Sequence, residues 1–356
     1  MKQIYNKHHL KKRAVKPSLS FLLFFFCFAF FFFILSACTH QEDRIYQKSK
    51  ILMDTVVTIT VVSASESKAK KSLDDAFAAI DKLEKLLNFY SPESEISLIN
   101  RNAGLSGVKV SSDILRLVDK ALYVSEKTKG SFDITIGPLT SMYDFHKQIR
   151  PDDGKIREKL SLINYRDLLT DNAKSTIYLK RKGMLIDPGG ITKGYAADRA
   201  VETLKKQGIH AGVVAIAGDI KAFGLKPDGK PWKIGIRNPN AQSDKDDVMA
   251  TVELTDMAIS TSGDYERYFI RNGKKFHHLL DPKTGYPAGG CRSVTVMAKE
   301  GIFTDAFATG IFILGPEKGM TVFKETGFSG IMIDSYGTTH ITPNLRGKIE
   351  FKKNPS

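Results

Sequence analysis

Cysteine is scarce in this chain. Three occur in 356 residues, Cys27, Cys38 and Cys291. The first two fall in or at the end of an N-terminal leader described below, which leaves Cys291 alone in a processed protein. One thiol permits no internal disulfide. One thiol with scattered histidines also offers no zinc-ligand spacing. The glycine-rich stretches contain neither the G-x-x-x-x-G-K-[ST] of a P-loop nor the G-x-G-x-x-G of a dinucleotide fold. There is no arginine-rich stripe interleaved with aromatics, which argues against a nucleic-acid partner. No internal repeat occurs, and no low-complexity segment follows the leader.

What is present begins with that leader. Met1 to Ser20 carry six Lys/Arg and no acid, and Phe21 to Leu35 are an apolar, phenylalanine-rich run before Ser36-Ala37-Cys38. This is the order of a secretory signal, and the run is short of the ~20 residues that a spanning helix needs. An uncleaved membrane anchor is the alternative. Small residues standing where cleavage needs them favour removal of residues 1–37. The whole chain has 53 basic and 39 acidic residues. Without the six in the leader the balance is 47 − 39 = +8. Spread charge of that sign suits an anionic membrane surface or a phosphate-bearing ligand.

Residues 38–50 read as a polar tether, 51–345 as the catalytic domain and 346–356 as a basic tail. One domain is expected, with a division into two subdomains left open. Ile51 to Val62 alternates as a strand, and Ser67 to Leu87 is an amphipathic helix. Ser112 or Asp113 can cap a second helix whose face carries Leu115, Val118, Leu122 and Ser125, with Gly130 past its end. Residues 146–175 are polar, an insertion or linker with some helix. β-like stretches follow at 211–223, 232–237, 248–260 and 265–280, the last containing an Asn272-Gly273 turn. Ser293 to Ala298 is a strand, Thr304 is expected to cap a helix, and Pro316 to Thr326 is another helix. Hairpins mixed with separate helices predict an α+β fold of mixed sheets with packed helices.

The central stretch runs from Leu185 through Asp187-Pro188-Gly189-Gly190 into a helix at Thr192-Lys193-Gly194-Tyr195. A glycine turn entering a helix offers free N–H groups and a positive dipole end, which suits a phosphate. An ordinary strand–turn–helix junction explains these residues equally well. Asp305 and Thr309, four apart on a helix, share a face and could offer oxygen to one cation. A solvated helix face is the commoner reason for such a pair. His277 and His278 end a strand, and one could be a general base, though a structural histidine is more usual there.

Taken together these stretches are more specific. In order they are Met53-Asp54-Thr55, Tyr90 with Ser94-Glu95, Gly130 to Leu139 and Ile186 to Ala196. Ala217-Gly218-Asp219, Thr261 to Tyr265, His278 to Gly285 and Asp305-Ala306-x-Ala308-Thr309 follow. This resembles the ApbE family, bacterial FAD:protein FMN transferases, over about residues 51–335. The resemblance implies an enzyme that uses FAD and Mg²⁺, moves FMN to a Ser or Thr hydroxyl of an acceptor protein and releases AMP. It implies Asp305 and Thr309 as metal ligands, with the Thr192 carbonyl as a third. Met53, Tyr90, Ser131, Phe132, Asp133, Asp187, Lys193 and Leu280 would line the FAD site, and His278 would be the base. Asp305 and His278 are thus the expected catalytic residues. Leu35-Ser36-Ala37-Cys38 resembles a lipobox, which implies lipidation of Cys38 and a place on the bilayer of a bacterial envelope, facing the periplasm or the outer surface.

Three positions depart from the family pattern: Thr192 stands where Ala is usual, Pro188 where an aliphatic residue is common, and Ala217 where Gly is usual. Two other readings use the same residues. One is a Mg²⁺-dependent FAD pyrophosphatase, with water in place of the acceptor. The other is a non-catalytic flavin-binding lipoprotein, for which a base would be superfluous.

Overall fold

The structure is a computed structural model that describes residues 42–241 and 248–352. The leader and Cys38 lie outside the described residues. In chain order, β1 (Arg44–Leu52) and β2 (Thr55–Ser63) precede α1 (Glu66–Leu87) and α2 (Glu95–Arg101). Next come β3 (Val108–Lys109), α3 (Ser112–Lys127), α4 (Gly137–Thr140) and α5 (Asp153–Leu160). Strands β4 (Leu168–Asp171) and β5 (Thr176–Leu179) lead to α6 (Thr192–Lys206). Then β6 (Ala211–Ile216), β7 (Asp219–Phe223), β8 (Trp232–Arg237), β9 (Val248–Leu254) and β10 (Met257–Gly263) follow. The remainder is β11 (Tyr268–Arg271), β12 (Lys274–His277), β13 (Cys291–Ala298), α7 (Gly301–Leu314), α8 (Pro316–Thr326), β14 (Ser329–Asp334), β15 (Thr339–Ile341) and β16 (Ile349–Phe351). This is the expected α+β class.

Eight strands form one antiparallel sheet in the order β1-β2-β6-β7-β10-β13-β14-β15. Side chains on a strand alternate between faces, so this sheet feeds two cores. Val57, Ile59 and Val61 of β2, Val214 and Ile216 of β6, and Val294 and Val296 of β13 face the helices. Their neighbours Val62, Ala211 and Met297 face a second core closed by β16-β9-β8. Leu73, Phe77, Ile80, Leu83 and Leu87 of α1 fill the helical side. Each such burial contributes roughly 1.5–3 kcal/mol.

The elements differ from the sequence reading in several places. The strand expected over Ile51 to Val62 is broken at Met53-Asp54 into the end of β1 and β2, which pair as a hairpin. Residues 44–50, read as tether, belong to β1. This edge strand is largely exposed and carries no apolar alternation, so only its pairing with β2 defines it. Residues 349–351 of the basic tail form β16, held by β9 and by Lys233 on Glu350. The buried face of α3 is Ile114, Leu117, Val118, Ala121, Val124 and Ser125, about one position from that expected at Leu115 and Leu122, and its cap is Ser111. Thr304 lies inside α7 and donates to the Gly301 carbonyl instead of capping.

Candidate active site

The site forms at one end of the main sheet. Met53-Asp54 turns β1 into β2, and Ala217-Gly218 turns β6 into β7. The two turns touch, because the Ala217 N–H donates to the Val56 carbonyl at 3.4 Å. Met53, Asp54 and Ala217 have φ of +54°, +55° and +51°. Left-handed backbone at a residue with a Cβ costs about 1–3 kcal/mol and gathers at functional sites. Ala217 thus keeps the turn that a glycine would adopt freely. The C-terminal end of β10 lies beside it, where a Cβ on Gly218 would come within 3.8 Å of the Thr261 carbonyl oxygen.

The loop entering α6 crosses this end. Asn100 grips it, accepting from the Ile186 N–H at 2.6 Å and donating to the Ile186 carbonyl at 3.0 Å. Asp187 then accepts from the Gly189 N–H at 2.9 Å, an Asx turn compatible with the proline between them. The Pro188 carbonyl accepts from the N–H of Ile191, the N–H of Thr192 and the Thr192 hydroxyl. Those bonds absorb both departures from the family pattern in this loop.

Lys193 points back at the sheet. Its ammonium lies 2.5 Å from Asp219, whose side chain is 4% exposed. Burial would lower the Lys193 pKa, but Asp219 and Asp305 outweigh it and hold the ammonium above the ordinary lysine range. Asp305, buried on α7, is pushed the other way. Burial first, and then the Asp219 charge, raise its carboxyl well above the usual range. Asp219 thus makes the direct ion pair with Lys193, while burial and the Asp219 charge drive Asp305 toward its neutral form.

The N–H groups of Lys193 and Gly194 donate to Asp305, the second at 2.9 Å. This corrects the expectation that the start of α6 offers free donors to a phosphate. An internal carboxylate already occupies that anion cradle. Thr309, one turn beyond Asp305, meets the Ser262 hydroxyl at 3.2 Å. A Cβ placed on Gly190 would lie 3.4 Å from Phe132 and 3.5 Å from the Thr309 hydroxyl, so the glycine turn, Phe132 and Thr309 converge. Oxygen is the only donor type in this group, which fits a hard divalent cation. Among the described residues no cluster of three His, Cys, Asp or Glu gathers as a metal site. A cation here would therefore rely on hydroxyls, carbonyls and its other ligands.

The two histidines separate by environment. His277 is buried, bonded through Nε2 to the Ala288 carbonyl at 2.9 Å and set edge-on to Phe312. His278 faces Phe145, and burial, then Arg267 and His277, lower its pKa to about 3. The Lys193 charge lowers it further, as the smallest of these effects. Tyr90 is 82% exposed, an unusual state for an aromatic ring, and its hydroxyl feels Asp187, Arg267, Asp144 and Asp54. Ser131 is buried next to Phe132.

Two expected FAD-lining residues do other work. The Asp133 carboxylate is buried and accepts from the Thr135 N–H, the Thr135 hydroxyl and the Tyr165 N–H. Its oxygens shape the loop instead of facing the site. The Leu280 side chain fills a small core with Leu139, Tyr143 and Ile156. Asn100 and Arg267 join the site without having been singled out from the sequence. Asp219 and Ser262 sit in recognised motifs, Ser262 in a stretch readable as a turn or a ligand loop, but their roles show only against Lys193 and Thr309.

The family model described as "ApbE family" matches residues 53–332. The chain belongs to the ApbE family. A Klebsiella pneumoniae relative named "FAD:protein FMN transferase" is 32% identical over 80% of this chain and 87% of its own length. The ApbE protein of Thermotoga maritima superposes with a TM-score of 0.79 at 30% identity, covering 86% of this chain and 99% of that one. The Pseudomonas stutzeri flavinyl transferase ApbE, in its apo form, gives 0.76 at 28% identity over 86% and 97%. The matched ApbE span takes in every site residue above, from Met53 to Thr309.

Proposed function

We propose that the chain transfers FMN from FAD to a Ser or Thr hydroxyl of an acceptor protein, with Mg²⁺ bound and AMP released. The observation that carries this is the Lys193–Asp219 ion pair with Asp305 on the Lys193 and Gly194 N–H groups beside a glycine turn. The names of the ApbE relatives point to the same donor and product. Asp305 and Thr309 would hold Mg²⁺ through their side-chain oxygens, and the Thr192 carbonyl would add another. When bound, the ion would offset charge on the pyrophosphate and on the departing AMP. Lys193 supplies a fixed positive charge for the same phosphates. Met53 and the exposed Tyr90 provide surface for the flavin and adenine rings, and Phe132, expected beside them, is buried in the core behind the glycine turn.

The acceptor hydroxyl is a weak nucleophile and needs a base. Its oxygen attacks the phosphorus of the FMN half, its proton passes to His278, and the anhydride P–O bond breaks with its electron pair going to AMP. The His278 Nδ1 lies 3.4 Å from the Arg267 carbonyl, which favours hydrogen on Nδ1 and leaves Nε2 to accept. Arg267 and Lys193 help to depress its pKa in the free protein.

The test is mass spectrometry of an exported acceptor protein after incubation with the enzyme, FAD and Mg²⁺. An FMN mass on a Ser or Thr that is lost with EDTA is the expected result. Free FMN and AMP with no adduct would point instead to the pyrophosphatase reading. We also propose that Cys38 carries lipid and anchors the chain to the envelope membrane, facing the periplasm or outer surface. Cys38→Ser should then move the protein from the membrane to the soluble fraction. Retention in the membrane would contradict the anchor.

A further inference from the structure

The α6–α7 crossing is built on two glycines and two aspartates that serve opposite helices. A Cβ on Gly194 would lie 2.0 Å from the Gly301 carbonyl oxygen, and one on Gly301 would lie 2.6 Å from that of Gly194. The backbones are therefore in contact at the N-termini of both helices. Asp305, from α7, accepts from the Gly194 N–H of α6. Asp198, from α6, accepts from the N–H of Gly301 at 2.8 Å and of Ile302 at 2.9 Å in α7. Each helix thus caps the other, since neither has a side-chain cap of its own. Lys221 of β7 completes the far side, 3.2 Å from Asp198 and also donating to the Lys299 carbonyl.

We propose that Asp198 is a positioning residue for Asp305. The N-terminus of α7 starts one turn before Asp305. Whatever fixes Gly301 and Ile302 fixes the depth and rotation at which Asp305 meets Lys193 and Thr309 comes under Gly190. Asp198 does this from behind the site. It touches neither Lys193 nor Asp219 in the hydrogen bonds and ion pairs of the described residues. The inference rests on the proposed role of Asp305 as a metal ligand, but the placement of Asp305 can be read without any metal.

The experiment compares wild type with Asp198→Asn and with Lys221→Gln, the milder variant should Asp198→Asn fail to fold. Val252→Ala, in the second core, serves as a control for general destabilisation. Two readouts are taken without FAD: residue-resolved amide exchange at Lys193 and Gly194, and binding of Mn²⁺. In Asp198→Asn these two amides should exchange at least about tenfold faster than in the control. Mn²⁺ affinity should fall on the order of tenfold, as when a group that orients a metal ligand is removed. Lys221→Gln should shift both in the same direction by less. Unchanged exchange at Lys193 and Gly194, or equal change in Val252→Ala, would overturn the positioning role. If wild type takes up no Mn²⁺ while the amide effect is seen, the positioning of Asp305 stands and the metal assignment fails.

Discussion

At the scale of single residues, the site is a problem in charge placement. Lys193 is ion-paired with Asp219, so removing the ammonium leaves that buried carboxylate without its counter-charge beside the buried Asp305. His278 is different, because it is not part of that ion pair. Its replacement should spare binding and damage chemistry. We expect His278→Ala to bind FAD within about threefold of wild type while transfer to acceptor falls by about 10²–10⁴, the usual worth of a general base. Fluorescence titration of FAD and the rate of acceptor flavinylation measure the two separately. Equal transfer rates would remove the base. The neighbouring His277 would be the poorer choice, since the Ala288 carbonyl occupies its Nε2 and Phe312 covers its ring.

At the scale of elements, the site depends on how closely two helices approach. Gly194 is the position where a single methyl group is most damaging, since it would overlap the Gly301 carbonyl and Asp305 Cβ. Gly194→Ala should push α6 from α7, cost about 1–3 kcal/mol through overpacking and abolish most FAD cleavage. Gly107→Ala is a suitable comparison, since its added Cβ would meet only Thr176 at 3.8 Å or more and Ile177 at 3.9 Å. Thermal melting and an FAD-cleavage assay on the pair check this. A Gly194→Ala protein with wild-type melting and activity would contradict the close crossing. The same crossing gives the Lys193 and Gly194 N–H groups of α6 to Asp305 instead of leaving them open to a phosphate.

At the scale of the molecule, burial of neutral imidazole links stability to pH. His277 has its pKa lowered below the ordinary 6.5 by burial, against smaller opposing effects of the Ala288 carbonyl and Asp264, while Lys275 adds to the lowering. The unfolded chain binds a proton at this residue near pH 6.5 and the native one does not. Stability from this residue is thus present above about pH 6.5 and is lost as pH falls below it. Wild type should lose stability relative to His277→Gln between about pH 7.5 and 5.5, measured as guanidinium midpoints at each pH. Parallel midpoints would show that His277 titrates alike in both states.

Much of the fold was legible because its signals are local. The 3.6-residue period of α1, the Asn272-Gly273 turn and the proline and glycine that bound α8 need no knowledge of distant residues. The family was legible too, since Asp187, Lys193, His278, Asp305 and Thr309 stand in ordered motifs. Polar edge strands such as β1 were not legible, because pairing rather than patterning makes them strands. Nor could the sequence separate Asp133, turned inward to hold Thr135 and Tyr165, from Asp305, turned toward Lys193. Both are buried carboxylates in family motifs. By itself the sequence determined the locally patterned elements, the family and the chemical types available to the site. Only the tertiary structure decided which carboxylates meet Lys193, because Lys193, Asp219 and Asp305 come from different elements and their charges interact only once α6, β7 and α7 are brought together.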